Sequence, residues 1–114
     1  MTIKRLNPGP RLSGAVVHDN TVYLAGQVSA DSPTVKGQTE AILKKIDELL
    51  VAAGSHKSKL LSANVYLATM SGYDEMNAAW EAWIDPKNTP ARATVEAKLA
   101  APKDLVEIMA VAAI

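Results

Sequence analysis

The sequence predicts an α+β domain in which one β-sheet carries two helices on one of its faces. Short apolar runs of strand character and two longer runs of helical periodicity follow the order strand, strand, strand, helix, strand, helix, strand, strand. The strands predicted at Thr21–Gln27 and Leu105–Ile114 are apolar on both sides, but two helices cover only one face of a sheet. A second copy of the chain is therefore expected to cover the other face.

Length, charge and composition limit the class of protein. The 114 residues predict a single domain, 1–114, with one core. Twelve Lys and Arg balance twelve Asp and Glu, so no nucleic-acid partner is expected. Cysteine is absent, which excludes a thiolate nucleophile and a disulfide framework. The first residues contain no apolar signal core and no run reaches membrane-spanning length, so we expect a cytoplasmic protein without membrane contact.

The first part of the chain predicts three strands. Thr2–Leu6 has strand character and precedes a turn rich in proline and glycine. Ser13–His18 and Thr21–Gln27 predict a hairpin, because the dipeptide Asp19-Asn20 between them favours a tight turn. Gly26, near the end of this hairpin, indicates a bulge or a close approach of another group to the backbone.

The middle of the chain predicts two helices with a strand between them. The first helix begins near residues 32–34 and extends to about Ala53, where Gly54 is a plausible stop. Leu60–Ala68 follows as a strand. Ser71 then has the residue type of an N-cap, and the second helix extends to about Ile84.

The stretch Asn88–Ile114 predicts a β-hairpin that turns near Leu99. Antiparallel pairing in this register places Arg92 opposite Glu107 on an otherwise apolar face. Such a pair is usually structural. The functional alternative is that Arg92 offers its planar guanidinium to a small carboxylate, with Glu107 as a nearby acid or base. The pattern alone leaves both interpretations open.

Other polar residues are weaker candidates for a site. Asn77 lies on the apolar stripe of the second predicted helix, between Tyr73 and Trp80, so its amide needs a partner. That partner is either a loop carbonyl or a ligand. His18 and His56 have no partner at metal-ligand spacing, and therefore no metal site is expected.

Several runs resemble the YjgF/Rid family, the reactive-intermediate deaminases, whose domain is also described as endoribonuclease L-PSP-like. The combination of PAR (residues 90–92), VEAKL (95–99) and LVEI (105–108) is similar to the C-terminal signature of the family. VYLAGQ (22–27) resembles its strand that ends in Gly-Gln, and MNAAWEAW (76–83) resembles its second helix. The likeness extends over nearly the full chain and is greatest to the short YoaB-like branch.

This resemblance implies a chorismate-mutase-like α+β fold and a homotrimer with active sites between subunits. It implies a hydrolase, a deaminase that converts 2-enamine or 2-imino acids such as 2-iminopropanoate to 2-oxo acids and ammonia without a cofactor. By resemblance, Arg92 clamps the substrate carboxylate and Glu107 holds or activates the attacking water. Asn77 matches an asparagine that lies near the pocket.

The chain departs from the family pattern at three substrate-binding positions. Arg11 stands where characterised deaminases have tyrosine, and it adds a positive charge to the implied pocket. Ala25 stands in place of serine, and Thr94 in place of a frequent cysteine whose backbone carbonyl positions water. The same residues would also serve a non-catalytic trimer that binds or senses small carboxylates, and the sequence leaves that alternative open.

Overall fold

A computed structural model of the chain describes residues 2 to 114. Met1, which belongs to the predicted domain, lies outside the described residues. The chain forms six strands and two helices in the predicted order, namely β1 (Ile3–Pro8), β2 (Ser13–His18), β3 (Thr21–Leu24), α1 (Val35–Ala52), β4 (Leu60–Leu67), α2 (Tyr73–Trp83), β5 (Ala91–Glu96) and β6 (Val106–Ala113). Short 3₁₀ turns at Lys57–Lys59 and Met70–Gly72 precede β4 and α2.

The strands form one mixed sheet in the order β1-β2-β3-β6-β4-β5. β6 lies near the centre and is antiparallel to both β3 and β4, whereas β5 is an edge strand parallel to β4. A central strand has hydrogen-bonded neighbours along both of its edges, and the residues of β6 alternate between buried and half-buried positions on the two faces.

The predicted hairpin between β5 and β6 is wrong, because β4 lies between these two strands. Arg92 is opposite Ala63 of β4, and Glu107 is opposite Tyr66 of the same strand. The physical reason is the crossover helix α2. Two strands joined through a helix that packs back on the sheet are parallel neighbours, and β4–α2–β5 is such a unit.

Both helices pack on one face of the sheet, as predicted. This covered face supplies an apolar core of strand residues that alternate along each strand with residues of the opposite face. Its members in the four inner strands are Ala15, Val22, Leu24, Leu60, Ala63, Val65, Leu67, Val106, Ile108, Ala110 and Ala112. From α1 and α2, Ile42, Leu43, Ile46, Leu50, Met76 and Trp80 pack against them.

The buried amide of Gln38 on α1 fixes the start of β6. Its Nε2 donates to the carbonyl oxygens of Ser32 and Lys103, each at 2.9 Å, and its Oε1 accepts from the backbone N–H of Leu105 at 2.9 Å. All three bonds reach backbone groups that would otherwise be unpaired. Helix α1 therefore holds the segment that leads directly into Glu107.

The helix ends were predicted with mixed success. Thr34 caps α1 by accepting from the N–H of Gly37 at 3.0 Å, and Gly54, with φ of +83°, follows its last turn. Ser71 is not the N-cap of α2, because its hydroxyl lies 2.6 Å from that of Thr69 in a 3₁₀ turn before the helix. Tyr73, expected on the inner stripe of α2, is 41% exposed at the first position of the helix.

The opposite face of the sheet, here called the open face, has no covering element within residues 2 to 114. Tyr23 and Val95 on this face are nearly half exposed, and Met109 and Val111 lie half-buried between them. The expectation that this face needs a partner stays a prediction. None of the helices in the described part of the chain is both long and apolar enough to cross a membrane.

Candidate functional site

Arg92 lies on β5 and points to the covered face, where α2 supports it. Its guanidinium carbon is 5.1 Å from the centre of the Trp80 ring, and Nη1 is 3.8 Å from the sulfur of Met76. The cation–π contact with the ring and the bond to sulfur restrict the guanidinium and leave its other N–H groups available to a ligand. Among residues 2 to 114 the only basic side chain within 4.0 Å of a carboxylate is His18, beside Asp19, so no carboxylate in this part of the chain pairs with Arg92.

Thr94 is two residues beyond Arg92 on β5, and its side chain therefore points to the same face. Its Oγ1 is buried and has no hydrogen-bond partner in the described part of the chain. A buried hydroxyl without a partner costs about 1–3 kcal/mol. A half-buried guanidinium without a counter-ion and an unpaired hydroxyl therefore lie side by side, an arrangement that suits an anionic ligand with oxygen atoms.

Glu107 belongs to the open face, because it alternates along β6 with the fully buried Val106 and Ile108. Its carboxylate lies directly over Gly26. A Cβ atom at Gly26 would overlap Oε2 of Glu107 and would lie only 3.0 Å from its Cδ. The predicted close approach at Gly26 is therefore confirmed, and the approaching group is the Glu107 side chain.

The backbone around Ala25 and Gly26 is held on both sides. The N–H of Ala25 donates to the carbonyl of Gly14 at 2.9 Å, and the N–H of Gln27 donates to the carbonyl of Ile108 at 2.8 Å. The side-chain amide of Gln27 donates back to the carbonyl of Ala25 at 3.0 Å. Ala25 and the Glu107 carboxylate above Gly26 consequently have fixed positions relative to each other.

The remaining predicted residues lie at opposite edges of the sheet. Asn77 is half-buried on α2, next to Met76, the residue that contacts Arg92. Arg11 is exposed in the turn between β1 and β2, beside a cavity of about 460 Å³ that Asn7 and Leu12 also line. Whether the amide of Asn77 binds a ligand or a loop carbonyl stays a prediction.

The predicted site residues thus fall into two groups. The Arg92 group (Asn77, Arg92 and Thr94) lies at the β5 edge with α2. The Glu107 group (Arg11, Ala25 and Glu107) lies on β6, just after β3 and in the turn before β2, away from the β5 edge. The sheet and two strand spacings of roughly 5 Å each separate Arg92 from Glu107. Within one chain they do not form the predicted pair.

Sequence reasoning missed the residues that support the site. Trp80 was predicted only as part of the apolar stripe of the second helix, although it and Met76 also hold Arg92. This contact could have been predicted from a parallel pairing of β4 and β5, because the crossover helix α2 then packs over β5. A cavity of about 510 Å³ under the loop 97–102 contains none of the predicted site residues. Within residues 2 to 114 no cluster of three or more His, Cys, Asp or Glu side chains is arranged to hold a metal ion.

Comparison with known proteins gives a consistent result. The family model of endoribonuclease L-PSP matches residues 2–114. A RutC family protein of Haemophilus influenzae is 46% identical, covering 98% of each chain, and RutC family protein YoaB of Escherichia coli is 40% identical over the full length of both. The predicted similarity to YoaB is thereby confirmed.

One solved structure and one more distant relative extend the comparison. The crystal structure of NMB1025 of Neisseria meningitidis, a member of the YjgF protein family, is 42% identical, covers 99% of this chain and 95% of that chain, and has a TM-score of 0.97. A human protein named 2-iminobutanoate/2-iminopropanoate deaminase is 30% identical, covering 88% of this chain and 77% of its own length. With a family model that matches residues 2–114 and relatives of this similarity, the chain belongs to the endoribonuclease L-PSP family, that is, the YjgF/Rid family.

Proposed function

We propose that this chain is a cytoplasmic, homotrimeric hydrolase that converts 2-imino or 2-enamine acids to 2-oxo acids and ammonia. The observation that carries the proposal is the state of Arg92. Its guanidinium is half-buried and held against Trp80, and no carboxylate within residues 2 to 114 pairs with it. A half-buried arginine of this kind is suited to bind the carboxylate of a small acid through two charge-assisted hydrogen bonds.

The proposed active site combines the Arg92 group of one subunit with the Glu107 group of its neighbour. Arg92 and Glu107 lie on opposite faces of the sheet in one chain, so a second copy is needed to bring them to one substrate. The open face gives such a copy an apolar surface to bury, since Tyr23 and Val95 are exposed on it. Pockets at subunit boundaries are common ligand sites.

The reaction requires little from the protein, because an imine carbon next to a carboxylate is already electrophilic. Glu107 takes a proton from water as the water oxygen bonds to C2, and it passes this proton to the imine nitrogen. It then transfers the hydroxyl proton to the same nitrogen as the C–N bond breaks, so that ammonia leaves and a C=O bond remains. General acid–base catalysis of this type contributes roughly a hundred- to ten-thousandfold.

Binding by Arg92 contributes to the rate in a different way. It fixes C2 at the position where the water oriented by Glu107 can attack, and it thereby removes the entropy cost of the encounter. The Thr94 hydroxyl, which lacks a partner in the described part of the chain, supplies a further hydrogen bond to the acid or to water. The reaction class is that named for the human relative at 30% identity.

The direct test is imine hydrolysis in vitro. An amino-acid oxidase would generate 2-iminopropanoate and 2-iminobutanoate, and semicarbazide would trap the imine that survives. We expect faster imine loss with wild-type protein than without protein, and no acceleration with Arg92→Ala. Arg5→Ala is the matched control, because Arg5 is exposed on β1 and belongs to neither group.

Glu107→Gln separates catalysis from binding. This variant should still bind a 2-oxo acid through Arg92 but should lose turnover, because an amide neither accepts nor relays the proton. Wild-type protein that binds 2-oxo acids without accelerating imine loss would instead be a non-catalytic carboxylate binder. Undiminished turnover in Glu107→Gln would remove this carboxylate from the mechanism.

RNA cleavage, which the family description suggests, has less support in this chain. The chain has equal numbers of basic residues (Lys and Arg) and acidic residues (Asp and Glu). Arg92 is half-buried and is not part of a basic surface. Specific cleavage of RNA by wild-type protein, retained at high salt, would contradict the proposed function.

A further inference from the structure

We propose that Arg11 binds a second carboxylate, so that the preferred substrates are 2-imino dicarboxylic acids. This inference rests on the proposed function and names its substrate class. Arg92 would hold the carboxylate next to the imine carbon. Arg11, which lies on the side of the Glu107 group, would hold the carboxylate at the far end of the side chain.

The backbone brings Arg11 to the end of the sheet at which Glu107 lies. Arg11 is in the turn that precedes β2, and Gly14 of β2 accepts from the N–H of Ala25 at 2.9 Å. Gly26, the next residue, lies directly under the Glu107 carboxylate. β6 also starts at this end, as shown by the bridge of Gln27 to Ile108. The turn and the carboxylate of Glu107 therefore lie at the same end of the sheet, on either side of β3.

The turn itself has a defined shape. The N–H of Gly9 donates to the carbonyl of Leu12 at 2.8 Å, and Pro8 and Pro10 restrict the backbone on either side of Gly9. Asn7, just before the turn, has a φ of +49°, which redirects the chain at the end of β1. Arg11 thus projects from a restricted loop, so little backbone ordering is needed when its side chain binds an anion.

Arg11 is exposed, and within residues 2 to 114 no carboxylate pairs with it. It lines the cavity of about 460 Å³ beside the turn. Across β2, Ala25 carries only a methyl group and Gly26 has no side chain, so neither residue places a long side chain between the turn and Glu107. Space and an unpaired guanidinium therefore occur together at this end of the sheet.

The charge of Glu107 explains why a second arginine matters for a dianionic substrate. A monocarboxylate brings one negative charge, which Arg92 neutralises. A dicarboxylate brings a further negative charge toward the site of the Glu107 carboxylate, and like charges at short range oppose binding. A guanidinium at Arg11 offsets this repulsion and pairs with the second carboxylate through its planar set of donors.

The test compares two imines in wild type and Arg11→Gln. Glutamate oxidase would supply 2-iminoglutarate, and an amino-acid oxidase would supply 2-iminobutanoate. We expect wild type to have the higher kcat/KM for 2-iminoglutarate. We expect Arg11→Gln to lower the ratio of the two kcat/KM values by about ten- to a hundredfold, the range of a lost hydrogen bond to a charged group. Arg5→Gln is the control and should leave the ratio unchanged.

Product binding provides a second measurement that does not depend on turnover. The affinities for 2-oxoglutarate and 2-oxobutanoate would be measured by calorimetry with the same three proteins, and only Arg11→Gln should lose the preference for 2-oxoglutarate. Hydrolysis of both imines with a ratio insensitive to Arg11→Gln would overturn this inference and leave the proposed function intact. Absence of imine hydrolysis, with an Arg11-dependent preference for 2-oxoglutarate, would overturn the proposed function and retain the dicarboxylate site.

Discussion

The covered face and the open face of the sheet are made by the same strands but have different surroundings. Ile108 and Val106 on the covered face are fully buried under the helices, whereas Met109 and Val111 of the same strand are only half-buried. Tyr23, opposite Val111 on the neighbouring strand, is 48% exposed. The apolar sequence thus continues beyond what the helices of one chain can cover.

The difference between the two faces also separates the two parts of the candidate site. Arg92 is on the covered side, where Trp80 and Met76 fix its position. Glu107 is on the open side, where Gly26 makes room for its carboxylate. One face supplies rigid support for ligand binding, and the other supplies an acid–base group on a surface with no partner in the described chain. We therefore predict that association of subunits completes the site.

The largest expected effect is on the covered face. Ile108→Ala removes a fully buried side chain from the core and should lower the free energy of unfolding by about 2–5 kcal/mol. Val51→Ala on α1 is the control, since Val51 is 68% exposed and should change stability by less than about 0.5 kcal/mol. Urea unfolding at one fixed protein concentration measures both. Equal losses in the two variants would contradict the division into a covered core and an exposed helix surface.

The next effect concerns association through the open face. Val111→Lys places a charge in the middle of this face, next to Tyr23 and Ser62, and should convert the proposed trimer to monomers. Sedimentation velocity would show the change in mass. Val51→Lys introduces the same charge on the outer surface of α1 and should leave the mass unchanged. An intact trimer in Val111→Lys would mean that another surface holds the subunits together.

A smaller effect is expected where the backbone supports Glu107. Gly26→Ala adds a methyl group that overlaps Oε2 of Glu107, so the carboxylate must move and turnover should fall about tenfold or more. Gly9→Ala is the matched control, because its Cβ would lie 3.4 Å from the nearest atom, the carbonyl oxygen of Leu12. Circular dichroism would confirm that both variants fold. Unchanged imine hydrolysis in Gly26→Ala would show that the position of this carboxylate is not critical.

The smallest effect lies away from both faces, in the loop after α2. Hydrogen bonds from the Asn88 side chain and the Lys87 N–H, with help from the charges of His56 and Lys57, lower the pKa of Asp85 below its ordinary value of 3.8. Because the folded pKa is lowered, the stabilisation is fully present above the ordinary value and is lost as pH falls through the folded one.

Asp85→Asn should therefore reduce stability slightly at neutral pH, and the difference from wild type should disappear as pH falls below the lowered pKa of Asp85. Urea midpoints at several pH values would measure this difference. Asp31→Asn, at an exposed position before α1, is the control. A stability difference between wild type and Asp85→Asn that grows as pH falls would contradict the lowered pKa of Asp85.

The order of strands and helices could be predicted from the sequence because each element has a local periodicity. The pairing of β5 could not be predicted from alternation alone. The alternation around Arg92 and Glu107 is compatible with an antiparallel β5–β6 pair and equally with the observed pairing of each strand with β4. Arg92, Glu107 and Asn77 were candidates from the residue pattern, whereas Arg11, Ala25 and Thr94 were identified only by resemblance to a family. The support of Arg92 by Trp80 depends on where α2 packs, which is a tertiary contact. The covering of the open face is predicted to come from a second chain, and the local periodicity of one sequence does not specify a contact between chains.

The most direct measurement of the central claim, that one site uses Arg92 and Glu107 from different subunits, is complementation between two inactive variants. Arg92→Ala and Glu107→Gln would be unfolded, mixed in equal amounts and refolded together, and imine hydrolysis would be compared with each variant refolded alone. We expect activity in the mixture to reach about a quarter of the wild-type value, because random assembly leaves that share of interfaces with both groups intact. Activity no higher than that of the separate variants, in mixed trimers verified by mass spectrometry, would contradict a site shared between subunits.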